Sequence, residues 1–432
     1  MPHRIRKEFD HELAEAKKIA REARADAMPW LYWAVAASFY LYEFFARVAP
    51  SVMEGTLQKE FAMNASGLGF VMGLYYLAYA PMQLVVGITL DRFGSKKLLS
   101  SAAIVAGIGC LAFALAETSA ILGLGRIMLG IGSSFAYVGA VYVATVWFPR
   151  RKLAFIMGMT AALGTLGAAL GQAPLEVAVQ DFGWRTAMYT AALGGLVIAV
   201  MIWILVPRRP DWFLKLAEIE SKESKDSMFA GLREVVSNGQ TWLISIISLL
   251  LYVPLSTFGA LWGDEFLVTS TGVSKETAAW GMTLLFLGFA AGAPLLGWLS
   301  DKKSMRKMPM FLGGALCAFS MGMLLLAPWM PFWLTVLFLI SSGFFAGAQA
   351  ITFAVAVEQH SSSCKATAVA FVNFFVMLGG FILQPAFGAV LDLTSTSDSY
   401  TAGDYRLALI LLPISLTLGT FLCRYLIETD SP

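Results

Sequence analysis

Two ionisable residues sit four apart inside an otherwise apolar run, Glu43 and Arg47 in Tyr40-Leu41-Tyr42-Glu43-Phe44-Phe45-Ala46-Arg47-Val48-Ala49-Pro50-Ser51. On a helix that spacing puts both side chains on one face, with Tyr40 beside them. A charge in an apolar helix is costly unless it faces a partner or a watery cavity, so the pair is a candidate for binding a polar solute or carrying a proton. Arg47 would hold Glu43 ionised, and an arriving solute that broke their contact would let Glu43 accept a proton. A static ion pair that only fixes the helix is the plainer alternative.

Other polar residues recur at membrane depth. Tyr75, Tyr76, Tyr79 and Gln83 cluster in the second apolar run, with Tyr76, Gln83 and Gly87 on one helical face. Arg126 lies in the fourth run, where it would either tune a carboxylate or anion or pin two helices together. Gln172 follows in the fifth run, Tyr252 and Trp262 in the seventh, Gln349 in the tenth, and Asn373 and Gln384 in the eleventh. Asn373, Met377, Gly380 and Gln384 share a face. Hydroxyl-bearing rings and amides suit a cavity that holds and releases a polar organic molecule, although helix packing explains any single tyrosine as well. Glu358 and His360, at the end of the tenth run, read as solvated or gating residues.

The elements that must position these groups are membrane helices. Only 14% of the 432 residues are charged and 58% are hydrophobic, with a mean hydropathy of +0.68. Soluble domains carry roughly 25% charge, so this chain belongs in a bilayer. A net charge of +2 gives no case for nucleic-acid binding. The four cysteines, Cys110, Cys317, Cys364 and Cys423, fall in or beside apolar runs without metal-ligand spacing and read as packing residues.

Apolar segments stand at 29–53, 66–90, 98–117, 119–147, 153–178 and 186–206, then at 241–267, 275–300, 308–327, 331–358, 365–391 and 405–427. Each can cross a core that needs about 20 helical residues. The expected fold is an all-α membrane protein of 12 transmembrane helices in two pseudo-symmetric six-helix bundles, 29–206 and 241–427. A charged extension (1–28), a central loop (207–240) and a short tail (428–432) complete the chain. Lys and Arg concentrate at Arg92–Lys97, Arg150–Lys152, the central loop and Lys302–Lys307, which places both termini in the cytoplasm by the positive-inside rule. The extension mixes both charge signs and reads as a cytoplasmic helix or tail near the membrane surface, not a cleavable leader.

The run Gly87-Ile88-Thr89-Leu90-Asp91-Arg92-Phe93-Gly94-Ser95-Lys96-Lys97 is echoed by Gly297-Trp298-Leu299-Ser300-Asp301-Lys302-Lys303, each anchor lying 210 residues downstream (297 less 87, 301 less 91). This pattern resembles the loop between the second and third helices of the major facilitator superfamily. Arg126-Ile127-Met128-Leu129-Gly130-Ile131-Gly132 and Gly183-Trp184-Arg185 resemble two more of its signatures. The resemblance implies alternating access, with the bundles rocking about a midplane site. Gly87, Asp91, Arg92, Gly94 and Lys96, with Gly297 and Asp301 as a weaker symmetric set, would act in gating. Asp91 would accept backbone N–H groups at the start of the eleventh helix, and Asp301 would brace the opposite half. Gly158, Gly164, Gly167 and Gly171 line the fifth segment, and Gly379, Gly380 and Gly388 mark the eleventh, where they would permit close helix crossing. Exporters of the superfamily often carry a proline where this chain has Gln172, which favours import.

No nucleotide-binding, metalloprotease or hydrolase motif is present, so the expectation is a transporter and not an enzyme, acting as a monomer with no cofactor and no metal. Tyr42-Glu43-x-x-x-Arg47-x-x-Pro50-Ser51, with Tyr-x-x-Ala-Tyr-x-Pro-Met-Gln at 75–83, most resembles bacterial intraphagosomal-type amino-acid transporters. It also resembles organic-anion symporters, which often carry an arginine at the Arg47 position. Glu43 and Arg47 together would clamp a zwitterion, which favours proton-coupled amino-acid uptake across a bacterial inner membrane. An arginine acting alone would favour a sugar acid or carboxylate. Siderophore or drug transport, and a non-transporting membrane sensor, are the remaining alternatives. Whether Glu43 faces the cavity or is consumed by Arg47 discriminates the first two.

Overall fold

A computed structural model of the chain describes residues 28–148, 150–208, 210, 228–360, 365–395 and 399–428. Among them the regular structure is helical throughout. In chain order the long helices are α1 (Met28–Val48), α2 (Ala65–Phe93), α3 (Ser95–Ala114), α4 (Ser119–Trp147), α5 (Ile156–Phe182) and α6 (Trp184–Leu205). The second set is α7 (Gly239–Thr271), α8 (Lys275–Lys302), α9 (Lys307–Trp329), α10 (Phe332–Glu358), α11 (Lys365–Thr394) and α12 (Ala402–Tyr425). Ten of these hold stretches long and apolar enough to cross a membrane; α1 and α2 account for the other two expected segments.

Polar side chains start the helices where the sequence leaves the apolar runs. Asn64, Thr118, Ser274 and Thr401 each accept a backbone N–H of the first turn of α2, α4, α8 and α12. Gly94 adopts φ +77°, a conformation that favours glycine, and this lets α2 turn directly into α3. The helix α2 runs through Asp91 and Arg92 to Phe93, past the apolar limit at 90. Gly183, at φ +81°, does the same between α5 and α6. Beside it Trp184 Nε1 donates to Glu60 at 2.9 Å, and Arg185 pairs with Glu60 and donates to the Ala116 carbonyl at 2.9 Å. In α7, Pro254–Trp262 form a π-helical stretch that opens on a proline lacking its N–H.

Within each half, glycines bring backbones into contact. A Cβ on Gly343 of α10 would lie 1.9 Å from the Leu285 carbonyl oxygen of α8, and one on Gly292 would lie 1.9 Å from that of Phe344. Gly164, Gly167 and Gly171 receive Tyr40, Leu41 and Phe45 of α1, as expected of the fifth segment. Gly158 and Gly297 have no atom within 4 Å of a Cβ position, so neither serves close packing.

The halves meet along α2 and α11. From the end near Asn64, the seam runs through Ala65 against Gly388 and Gly69 against Gln384 to the Gln83 side chain, which accepts from Asn373 Nδ2 at 3.1 Å. The opposite end, near Gly94, carries the basic loops. There Arg306 gathers Asp301 and Glu358, and these bonds, led by those to Glu358, raise the guanidinium above its ordinary pKa. Asp301 is thus engaged within its own loop instead of bracing the other half. Lys96 lies over the Trp203 ring, 5.5 Å from its centroid. The side chains of Asp91 and Arg92, the surroundings of Gly87, residues 1–27 and most of the central loop fall outside the described set.

Candidate substrate-binding centre

The turn of α1 holding Glu43 and Arg47 packs against α2 in the middle of the bundle. Glu43 is fully buried and Arg47 is 4% exposed. Arg47 Nε donates to Glu43 Oε1 at 2.8 Å, Nη2 donates to the same oxygen, and the Tyr75 hydroxyl supplies a third donor to it. Glu43 Oε2 has no hydrogen-bond partner. Glu43 Oε1 is thus saturated by Arg47 and Tyr75, and Arg47 already matches the charge of the carboxylate, which leaves no uncompensated negative charge for an ammonium group.

Aromatic rings wall the guanidinium. Its Cζ lies 4.1 Å from the Phe44 centroid and 5.4 Å from those of Tyr75 and Tyr79. Tyr252 of α7 faces Arg47 from the other half. Tyr40, half-buried, packs between Phe44 and Tyr137 at centroid distances of 4.9 and 5.1 Å. Among the expected residues, Tyr40, Glu43, Arg47, Tyr79 and Tyr252 thus come together.

Arg126 is buried beneath them and pairs with no carboxylate among the described residues; it donates to the carbonyls of Met72, Ala46 and Arg47 at 3.3–3.4 Å. Pro50 has no N–H to give the Ala46 carbonyl, and Arg126 supplies a donor. This pins α1 to α2 and α4 while keeping a full positive charge 4.9 Å from the Tyr75 centroid. With Arg47 and Arg126 set against Glu43 alone, the described charged side chains in the middle of the bundle sum to +1.

The remaining expected residues fall elsewhere. Tyr76 donates to the Ser256 carbonyl at 3.3 Å, and Gln172 donates to the Gly259 carbonyl at 3.0 Å. Those two residues, with Gln83 and Asn373, tie the seam. Gln349 donates to Ser248 at 2.9 Å inside the C-terminal half. Trp262 is fully buried, stacked on Phe387 at 5.4 Å, and donates to the Gln384 carbonyl at 3.1 Å, so it packs helices instead of lining a cavity. Phe44 and Tyr137 are members of the centre that the sequence reading left out, and Tyr75, which it placed only in the cluster with Tyr76 and Tyr79, turns out to contact Glu43 directly. The signal for Tyr75 was its place four residues before Tyr79.

The family profile described as Major Facilitator Superfamily matches residues 32–263 and again 244–432. The chain belongs to the major facilitator superfamily. This makes it a multi-pass membrane transporter and not an enzyme. Among curated relatives, the membrane sensor protein UhpC of Salmonella typhimurium is 24% identical over 387 residues, 84% of each chain. A hexuronate transporter of Bacillus subtilis is 26% identical over 274 residues, 61% of this chain and 63% of its own. Among solved structures, a bacterial homologue of the human lysosomal transporter Spinster, inward-facing and unoccupied, superposes with TM-score 0.76 at 18% identity, over 94% of this chain and 99% of that one. That likeness shows the fold.

Proposed function

We propose that this superfamily member is a secondary active transporter of small organic anions, with Arg47 as the anchor for the anionic group. The observation that carries this reading is the engagement of Glu43 Oε1 by Arg47 and Tyr75, beside an Arg126 that pairs with no carboxylate among the described residues. A zwitterion needs an acid and a base presented separately, whereas a centre of net charge +1 favours a carboxylate or phosphate. The Bacillus subtilis hexuronate transporter adds weight, its name being that of a sugar-acid carrier. The amino-acid reading gives way to the anion reading on these grounds.

The bundles 29–206 and 241–427 are the units that rock, with the Asn64 end closed and the basic Gly94 end facing the cytoplasm of a bacterial cell. An anion that drew Arg47 away would leave Glu43 buried without its counter-charge, and Glu43 would then take a proton. Uptake is therefore coupled to proton entry.

Proteoliposome uptake tests this. A panel of labelled hexuronates, small carboxylates, sugar phosphates and amino acids is offered under an inward proton gradient. Saturable uptake of an acid that is lost in Arg47→Ala is the expected result. Accumulation of amino acids with no acid transported would overturn it. The likeness to the sensor UhpC supports a second reading, ligand binding without turnover; tight anion binding to the purified protein with no flux would favour it.

A further inference from the structure

A second group of carboxyls lies in the seam, at the Asn64 end and apart from Arg47. Glu54, just beyond α1, is 1% exposed, and Asp264 of α7 is 6% exposed. Glu54 Oε1 accepts from the Tyr405 hydroxyl at 3.0 Å and from Gln58 Nε2 at 3.5 Å, while Oε2 has no partner. Neither oxygen of Asp264 accepts a hydrogen bond. The Ser51 hydroxyl lies beside Asp264, but its proton is committed to Gln172 Oε1 at 3.2 Å.

The surroundings add acids more than bases. Glu265 reaches the other half, where a Cβ on Gly55 would lie 3.5 Å from its Oε1. Glu176 of α5 is buried and accepts from Gln180 at 2.8 Å. Lys275 is the base that faces the group, 3.8 Å from Glu265 and partly exposed. Lys59, Asp181 and Glu276 are exposed. Glu60 is engaged by Trp184 and Arg185, Asp404 by Thr401, and Arg406 by the Leu325 carbonyl.

An ionised carboxylate left unpaired in a low-dielectric seam is far costlier than its neutral acid. A protonated Asp264 also completes a chain. Its O–H finds an acceptor in Ser51 Oγ, which donates to Gln172, whose amide donates to the Gly259 carbonyl.

We propose that Glu54 and Asp264 form a proton-binding site shared by the two halves, protonated when the Asn64 end is closed and exchanging its proton with the solvent on that same side when the end opens. The ligand is a proton and not a metal ion, because among the described residues no three His, Cys, Asp or Glu side chains are arranged to hold one. The site is separate from Glu43 and stands whether or not Arg47 binds an anion.

The test is a spin-label distance between Phe182→Cys and Trp333→Cys, both exposed at this end, in full-length protein lacking its native cysteines and held in lipid nanodiscs. Between about pH 5 and about pH 9 the distance distribution shifts toward longer values as the site empties. In the Glu54→Gln/Asp264→Asn double variant it stays short throughout, whereas Asp181→Asn, at an exposed acid of the same end, keeps the response. Tyr405→Phe removes a donor to the ionised Glu54 and moves the midpoint up by about one unit. A pH-independent distance in the wild type would overturn the proposal. So would an unchanged response in the double variant, or an unmoved midpoint in Tyr405→Phe.

Discussion

Asp392, in the last turn of α11, caps the first turn of α2 in the other half, its Oδ2 accepting from the Ser66 N–H at 2.9 Å. Oδ1 accepts from the Ala65 N–H at 3.0 Å, and the Tyr400 hydroxyl donates to that oxygen at 2.6 Å. Burial, reinforced by the bond to Asp392, pushes the Tyr400 phenol up to about 12, so it stays protonated and donating throughout the physiological range. A carboxylate at a helix N-terminus meets both unpaired donors and the positive end of the helix dipole.

Removing that cap loosens the closed end. Asp392→Ala is expected to cost about 1–2 kcal/mol of closure, the usual worth of an N-terminal cap. The Phe182–Trp333 spin-label distance is expected to lengthen at every pH. An unchanged distribution would mean that the cap contributes nothing to closure.

Glu43→Gln separates anion binding from proton coupling. In the wild type, acid neutralises Glu43 and frees the Arg47 fork, so anion uptake rises as pH falls. The glutamine variant resembles the acid form at all pH values, and its uptake is expected to lose that slope while binding persists. The pH profile of initial uptake rates decides it.

Arg47→Lys keeps the charge but loses the fork that engages Glu43 and Tyr75 together. Lysine is a point charge without planar bidentate geometry, so uptake is expected to fall about tenfold or more. Wild-type rates in this variant would reduce Arg47 to a charge carrier.

Gly343→Ala tests the scaffold away from the centre. Its Cβ would fall 1.9 Å from the Leu285 carbonyl oxygen, a backbone atom that cannot rotate aside. Overpacking of this kind costs typically about 1–3 kcal/mol, seen as a lower melting temperature in detergent. Gly158→Ala, facing open space, is expected to melt as the wild type does.

Much of the scaffold was legible because bilayer thickness fixes the length of an apolar run, and twelve such runs with a half-length echo leave few folds to choose among. The Glu43–Arg47 pair was equally plain from its spacing along one helix. What spacing could not tell was that Tyr75, from another helix, adds a third donor to Glu43 Oε1. Asp392 carried no local sign of its capping role, since its partner lies 326 residues away in sequence. Asp301 was drawn toward the other half by analogy with Asp91, but Arg306, five residues on, claims it first. For Glu43 and Asp392 the deciding partner lies on another helix, where no local pattern encodes it.

The glycines between α8 and α10 also bear on how far such a sequence can drift. Where a carbonyl occupies the place of a side chain, as at Gly288, Gly292 and Gly343, glycine is the residue that fits without displacing backbone. The rings around Arg47 meet it through side chains and not through backbone. A lineage can therefore trade one cargo for another by exchanging a few polar side chains while the chassis beneath them stays fixed.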